Sequence, residues 1–266
     1  MNYMKRTELH HDKLTKGLKK VAEALLTDPI PFATFSAKKI ASLLDVSETM
    51  VIRFCKAIGY DGYSELQKDV QQTLLSLYGS IDQPAADTNN NTFAQIMAMD
   101  QKNIAATAAS IDWTIGSQIV EALVGAKQIK VVGYYHSFSY AHWFSFLLHF
   151  LLKNTYLYRP ETDMNIGEKG KEHCLVIFSY YRYALDSIRL VEEAKQNGNT
   201  IIVITDSKLS PVAKYGDYVL NIQISQKSIL EKGPVTFSVL NTLILHIAQK
   251  VQKLDFVNPT NKYYIE

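Results

Sequence analysis

SAKKIASLLDVSETMVIRFCKAIGYDGY, residues 36–63, is the stretch on which the reading of this chain turns. It reads as two short amphipathic helices with a tight turn between them. The first carries Ile40, Leu43 and Leu44 as its apolar face, and Asp45-Val46 makes the turn. Ser47 is placed to cap the second helix, because its hydroxyl can accept an orphan backbone N–H of the first turn. That helix puts Val51, Phe54 and Ile58 on one side at i, i+3, i+7 spacing, while Thr49, Ile52, Arg53 and Lys56 share the other. An inner apolar stripe backed by an outer polar, partly cationic one suits a recognition helix in a DNA major groove.

Upstream, Leu14, Leu18, Val21, Ala22 and Leu25 follow helical spacing until Asp28-Pro29. Downstream, Gly59 is placed as a helix C-cap and Asp61-Gly62 as a turn. Tyr63 to Leu77 then reads as a helix with Leu66, Val70, Leu74 and Leu77 inward. Residues 1–78 thus form an all-helical unit of four or five helices. Residues 79–92, GSIDQPAADTNNNT, offer almost nothing to bury and read as a linker.

Residues 93–266 follow a different rule. After helical patterns at Phe93–Ser110 and Ile115–Val124 come five short apolar runs: Ile129–Gly133, Thr155–Tyr158, Cys174–Ser179, Thr200–Thr205 and Tyr218–Ile224. Helical stretches (Phe138–Leu152, Leu185–Asn197, Val235–Lys253) separate most of them. β-branched runs alternating with helices predict an open α/β domain, a parallel five-stranded sheet covered on both faces. Its ligand site is expected at the carboxyl ends of the strands.

Composition narrows the function classes. The chain has 266 residues, 47% hydrophobic and 20% charged, ordinary for a soluble protein. No apolar run reaches the roughly 20 residues that span a bilayer, and MNYMKRTELHHDK lacks a signal-peptide core, so a cytoplasmic protein without a membrane partner is expected. Cys55 and Cys174 read as small buried residues. Residues 1–75 carry 11 Lys+Arg against 9 Asp+Glu, and the remainder 17 of each, so the whole net charge of +2 lies at the amino end. His142 and His149 fall about 10 Å apart along one helix, too far for one ion, and neither a metal nor a cofactor is expected. His10-His11 reads as a solvated pair.

Three strand-end loops carry the remaining chemistry. Gly133-Tyr-Tyr-His-Ser137 offers a glycine and a hydroxyl at a helix N-terminus, where an anion is favoured. Ser179-Tyr-Tyr-Arg182-Tyr-Ala-Leu-Asp186 offers an arginine that can grip an anion or pair with Asp186. Thr205-Asp-Ser207-Lys-Leu-Ser210-Pro211 reads as a strand end leading into a helix started by proline.

Taken together, VSETMVIRFCKAIGYDGYSELQ, GYYHS and ITDSKLSPVAKYGDYVL resemble the RpiR-type (MurR/RpiR) transcriptional regulators over nearly the whole chain. The resemblance implies an N-terminal helix-turn-helix and a C-terminal sugar isomerase (SIS) domain. It also implies a phosphorylated-sugar effector and a homodimer or homotetramer on double-stranded operator DNA. Ser47, Thr49, Arg53 and Lys56 match the family's recognition helix, and Met50 stands where a threonine is usual. Gly133 and Ser137 match the ends of its Gly-x-Gly-x-Ser loop, with Tyr135 in place of the second glycine. Ser179 matches the first serine of its Ser-x-Ser-Gly-x-Thr phosphate cradle, whereas Tyr181, Arg182 and Ala184 replace the second serine, the glycine and the threonine.

The expected DNA-facing set is Ser36, Ser47, Thr49, Met50, Ile52, Arg53 and Lys56. The expected effector set is Gly133, Tyr135, His136, Ser137, Ser179, Tyr181, Arg182, Tyr183 and Glu231. Either Arg182 replaces the lost hydroxyls and the pocket takes a sugar phosphate or a related anionic sugar metabolite, or Tyr134, Tyr135, Tyr180, Tyr181 and Tyr183 fill it. In the second case the domain only assembles DNA-binding protomers. An isomerase or lyase is the alternative with catalysis, and Glu231 and His246 are its only loosely placed bases.

Overall fold

The computed structural model describes residues 1–79, 92–181, 183–222 and 229–257. The chain divides into two compact units with the break in sequence between Thr92 and Phe93. The expected linker falls mostly outside the described residues, as does Arg182.

Among the described residues the first unit contains six α-helices where the sequence pattern predicts four or five: α1 (Tyr3–His10), α2 (Lys16–Thr27), α3 (Ile30–Thr34), α4 (Ala37–Leu43), α5 (Glu48–Ala57) and α6 (Tyr63–Gly79). Its core gathers Val21, Leu25, Phe32, Ile40, Val51, Phe54, Ile58, Leu66 and Val70. Helix α1 adds Tyr3, Met4 and Thr7 to the buried set. The histidines at its end are half-buried rather than solvated, with His10 Nδ1 2.8 Å from the Arg6 carbonyl. Leu43 is a second correction. The inward stripe of α4 is Ala37, Ile40 and Ala41, continued by Leu44, and Leu43 falls off it and stays 53% exposed.

The second unit is an α/β domain on a five-stranded sheet of order β2-β1-β3-β4-β5, every pair parallel. The strands are β1 (Gln128–Gly133), β2 (Thr155–Leu157), β3 (His173–Ser179), β4 (Thr200–Thr205) and β5 (Tyr218–Asn221). The helices are α7 (Thr92–Ser110), α8 (Trp113–Val124), α9 (Ser137–Leu151), α10 (Leu185–Gln196) and α11 (Ile229–Lys250). Side chains of successive strand residues point to opposite faces. Thus Val176 and Phe178 pack with Phe144 of α9, Ile119 of α8 and Leu240 of α11. Leu175 and Ile177 pack on the other face with Leu190, Val191 and Ala194 of α10. All seven residues of β3 are buried, which is why it reads as an unbroken apolar run rather than an alternating one.

Three boundaries depart from the sequence reading. Helix α11 begins at Ile229 rather than Val235. The expected fifth run is a strand only to Asn221, and its last two residues lie outside the described ones. Ser210-Pro211 leads into a single 3-10 turn, Ala213–Tyr215, not an α-helix. Among the described residues no helix is long and apolar enough to cross a membrane.

Candidate DNA-reading face and effector site

The turn between α4 and α5 is built by two caps. Helix α4 ends with Asp45 in the left-handed region at φ 50°, its N–H on Ser42 O (3.4 Å) and the Val46 N–H on Ala41 O (3.0 Å). This 6→1 and 5→2 pairing is the Schellman arrangement, with a short polar residue where glycine is commonest. Ser47 then starts α5, its hydroxyl accepting the Met50 N–H at 3.2 Å, just as Ser36 accepts the Lys39 N–H at 3.4 Å to start α4. Ser36 and Ser47 therefore have capping duties as well as exposed positions. Helix α5 closes the same way: Gly59 at φ 87° donates to Lys56 O and Tyr60 to Cys55 O. Arg6 of α1 stacks over the Tyr60 ring, 4.4 Å to its centroid, and hydrogen-bonds the Gly59 carbonyl.

With Val51, Phe54 and Ile58 fully buried, the outer face of α5 presents Thr49, Arg53 and Lys56 to solvent, with Ile52 half-buried beside them. Met50 is placed differently. It is half-buried and packs on the core, its sulfur over Gly17 of α2, where an added Cβ would come within 2.9 Å. It is the one member of the expected DNA-facing set that the fold turns inward.

In the second unit the strand order reverses between β1 and β3. From β1 the chain goes through α9 to β2 on one side, and from β3 through α10 to β4 on the other. The carboxyl ends of these two adjacent strands form the crevice where open α/β sheets bind ligands. Gly133 ends β1 against the first turn of α9, and a Cβ there would sit 2.3 Å from the Ser137 carbonyl oxygen, so only glycine fits. Tyr135, standing where the family motif has its second glycine, adopts φ 53° and leaves its side chain 79% exposed. That left-handed backbone is one that glycine adopts freely and tyrosine only at a steric cost.

Between the loops lies a niche of about 10 Å³, room for one oxygen-sized group. Tyr134, Tyr135, His136, Ser137, Phe178, Ser179, Tyr180, Ala184 and Ser187 line it. Ser179 Oγ, Ser187 Oγ and His136 Nε2 are buried polar atoms without a hydrogen-bond partner. Burial, and then the nearby Lys232 ammonium, hold the His136 pKa below its ordinary value, although Asp206 opposes them, so its ring is neutral at pH 7. On the outer side a cleft of about 460 Å³ opens between Tyr134, Tyr135, Phe138, Tyr158, Glu161, Asp163, Asp186 and Arg189. The tyrosines thus reduce the inner space to one small niche without closing the crevice.

Tyr181 and Tyr183 are directed elsewhere. The Tyr181 N–H donates to the Asp206 carboxylate, 3.1 Å from each oxygen, and the Tyr183 hydroxyl donates to Asp206 Oδ1 at 3.4 Å. Lys232 Nζ completes the group, 3.4 Å from Asp206 Oδ2 and 3.4 Å from the Tyr181 carbonyl. Tyr180 is fixed by its hydroxyl against Thr236 Oγ1 at 2.9 Å, and burial keeps that phenol protonated. Lys232 escaped the sequence reading because it sits in Glu-Lys-Gly-Pro, which reads as a solvated turn. Of the two candidate bases, His246 does not line the niche. It is exposed on α11, its Nδ1 2.8 Å from Thr242 O, beside a groove formed with Trp113, Gly116 and Val120. Glu231 lies on α11, and its side chain is outside the described residues. Among the described residues no group of three or more His, Cys, Asp or Glu could hold a metal ion.

A helix-turn-helix unit followed by an open parallel α/β domain with a polar niche at its switch point defines the class. Residues 1–76 match the model of the helix-turn-helix domain of the rpiR family, and residues 122–246 match that of the SIS domain. The chain belongs to the RpiR-type regulators, which join these two domains. It is 27% identical over 229 residues to an HTH-type transcriptional regulator of Haemophilus influenzae, covering 79% of this chain and 76% of that one. It is 25% identical over 258 residues to the HTH-type transcriptional regulator HexR of Pseudomonas aeruginosa, covering 92% and 87%. The solved structure of the Vibrio vulnificus NanR protein complexed with ManNAc-6P matches with a TM-score of 0.59 at 18% identity, covering 97% of this chain and 96% of that one.

Proposed function

We propose that this regulator reads operator DNA with the outer face of α5 and that its SIS domain senses an anionic sugar metabolite at the β1–β3 switch point. It acts as a homodimer or homotetramer, because a pair of recognition helices must meet half-sites about one helical turn, or a multiple, apart. Effector binding shifts the population of protomer arrangements and so the spacing of those helices.

The observation that carries the sensing role is the set of buried, unpartnered polar atoms on Ser179, Ser187 and His136 around one niche. Buried polar groups are nearly always paired, and a site that leaves three unpaired together is built for something that pairs them. The adjoining cleft is large enough for a sugar, and its tyrosine faces suit a sugar ring. The sugar phosphate bound by NanR, a protein of the same fold, makes sugar phosphates the first class to try. Sensing is favoured over isomerase chemistry because His246 stands outside the niche.

The test is a thermal-shift screen of sugar phosphates and sugar acids on the full chain, followed by operator gel shifts with any hit. A ligand that raises the melting temperature and changes operator affinity is expected. If no sugar phosphate or sugar acid stabilises the chain, the sensing role is wrong.

A further inference from the structure

Helix α10 buries a stripe of four residues, Ser187, Leu190, Val191 and Ala194, at i, i+3, i+4, i+7 spacing. Three are apolar and pack on the face of the sheet that carries Leu175 and Ile177 of β3. The fourth, at the end of the stripe nearest the strand's carboxyl end, is a serine. By strand alternation Ser179 points to that same face two residues after Ile177. Ser187 is 1% exposed and Ser179 2% exposed, both line the same niche, and neither Oγ has a hydrogen-bond partner. A hydroxyl at an apolar stripe position costs stability when nothing pairs with it, and alanine or valine would pack there without that cost.

At positions 181 and 184, where the resemblance noted above implies a serine and a threonine, this chain has Tyr181 and Ala184. The Tyr181 N–H, which could have donated to a ligand, is taken by Asp206. We infer that Ser187 is an anion-binding residue of this site, supplying from one turn inside α10 a hydroxyl that replaces those lost from the loop. Ser179 and Ser187 donate to one anionic oxygen seated in the niche, and the neutral His136 ring adds its Nε2 as a third donor when that nitrogen carries the proton. The first turn of α10 adds its positive dipole end. The niche admits one oxygen rather than a whole phosphoryl group, so the remainder of the anion and the sugar lie toward the cleft, across Tyr134 and Tyr135, which line both spaces. This inference rests on the sensing role proposed above.

The test is isothermal titration of the full chain with inorganic phosphate and with a panel of hexose and pentose phosphates, on wild type, Ser179→Ala, Ser187→Ala and Ser187→Cys. Ser187→Cys keeps the shape but donates poorly. A hydrogen bond to a charged group corresponds to about a ten-fold change in affinity or more. Expected is ~10-fold weaker binding for each variant, with the melting temperature of the ligand-free Ser187 variants equal to or above wild type. That opposite movement separates ligand binding from a structural role. If Ser179→Ala weakens binding and both Ser187 variants bind as wild type, Ser187 has no such role while the sensor stands. Ser187 variants less stable than wild type when ligand-free mark a structural residue and overturn the inference. If no probe binds wild type, this inference falls, and the sensing role falls with it only if sugar acids also fail to stabilise the chain.

Discussion

Lys232 Nζ lies 3.4 Å from Asp206 Oδ2, and the two side chains are 1% and 0% exposed. This buried ion pair fixes the loop after β3, since the same carboxylate holds the Tyr181 N–H and the same ammonium its carbonyl. Removing one partner of a buried pair strands the other charge, typically at 3–5 kcal/mol, whereas removing both charges is often tolerated. Lys232→Met and Asp206→Asn are each expected to destabilise the second unit by about 3 kcal/mol, measured by urea unfolding followed through circular dichroism. The double variant is expected to be less destabilised than the sum of the two, because no net charge is left buried. Strict additivity would show that the pair is not coupled.

In the first unit, reading and building are separable. Arg53 is exposed on the outer face of α5, and nothing in the core depends on it. Arg53→Ala is expected to weaken operator binding by about 1–3 kcal/mol while leaving oligomeric state and melting unchanged. Ser47→Ala removes the 3.2 Å cap on the Met50 N–H and is expected to cost about 1 kcal/mol of stability. Fluorescence anisotropy on an operator duplex together with thermal melting resolves the two. Unchanged DNA affinity in Arg53→Ala would remove α5 as the reader.

What could be read from the sequence depended on how periodic the buried pattern was. Doubly covered strands such as Cys174–Ser179 are continuous apolar runs, and α5 has a clean Val51-Phe54-Ile58 stripe, so both were legible. Helix α1 was not, because it buries only Tyr3, Met4 and Thr7 within a polar segment. Nor was α3, whose five residues are held by side chains from another helix: Gln71 Nε2 donates to Ala33 O at 2.7 Å and the Tyr63 hydroxyl to Phe35 O at 2.9 Å. At the candidate effector site the placing of Gly133, Ser137 and Ser179 in strand-end loops was legible from loop position. Ser187 and Lys232 were not, because a polar residue in a helix reads as solvated until the packing shows it buried. Ser187 left one trace, a hydroxyl where the spacing of Leu190, Val191 and Ala194 calls for an apolar residue.

The last prediction concerns pH. His136 is half-buried with Nε2 unpartnered, and burial together with the Lys232 ammonium lowers its pKa in the folded chain. In the unfolded chain the same ring titrates near 6.5. Below about that pH the unfolded state takes up a proton that the folded state still refuses, so unfolding is favoured. The contribution of His136 is therefore fully present above pH ~6.5 and declines as pH falls from there toward the lowered folded value. His136→Gln, which cannot gain the charge, is expected to lose stability less steeply than wild type on going from pH 7 to pH 5. Urea unfolding at a series of pH values measures the difference, and the other histidines cancel because both proteins carry them. Parallel curves for the two proteins would mean that His136 titrates alike folded and unfolded, and that the niche does not hold its ring neutral.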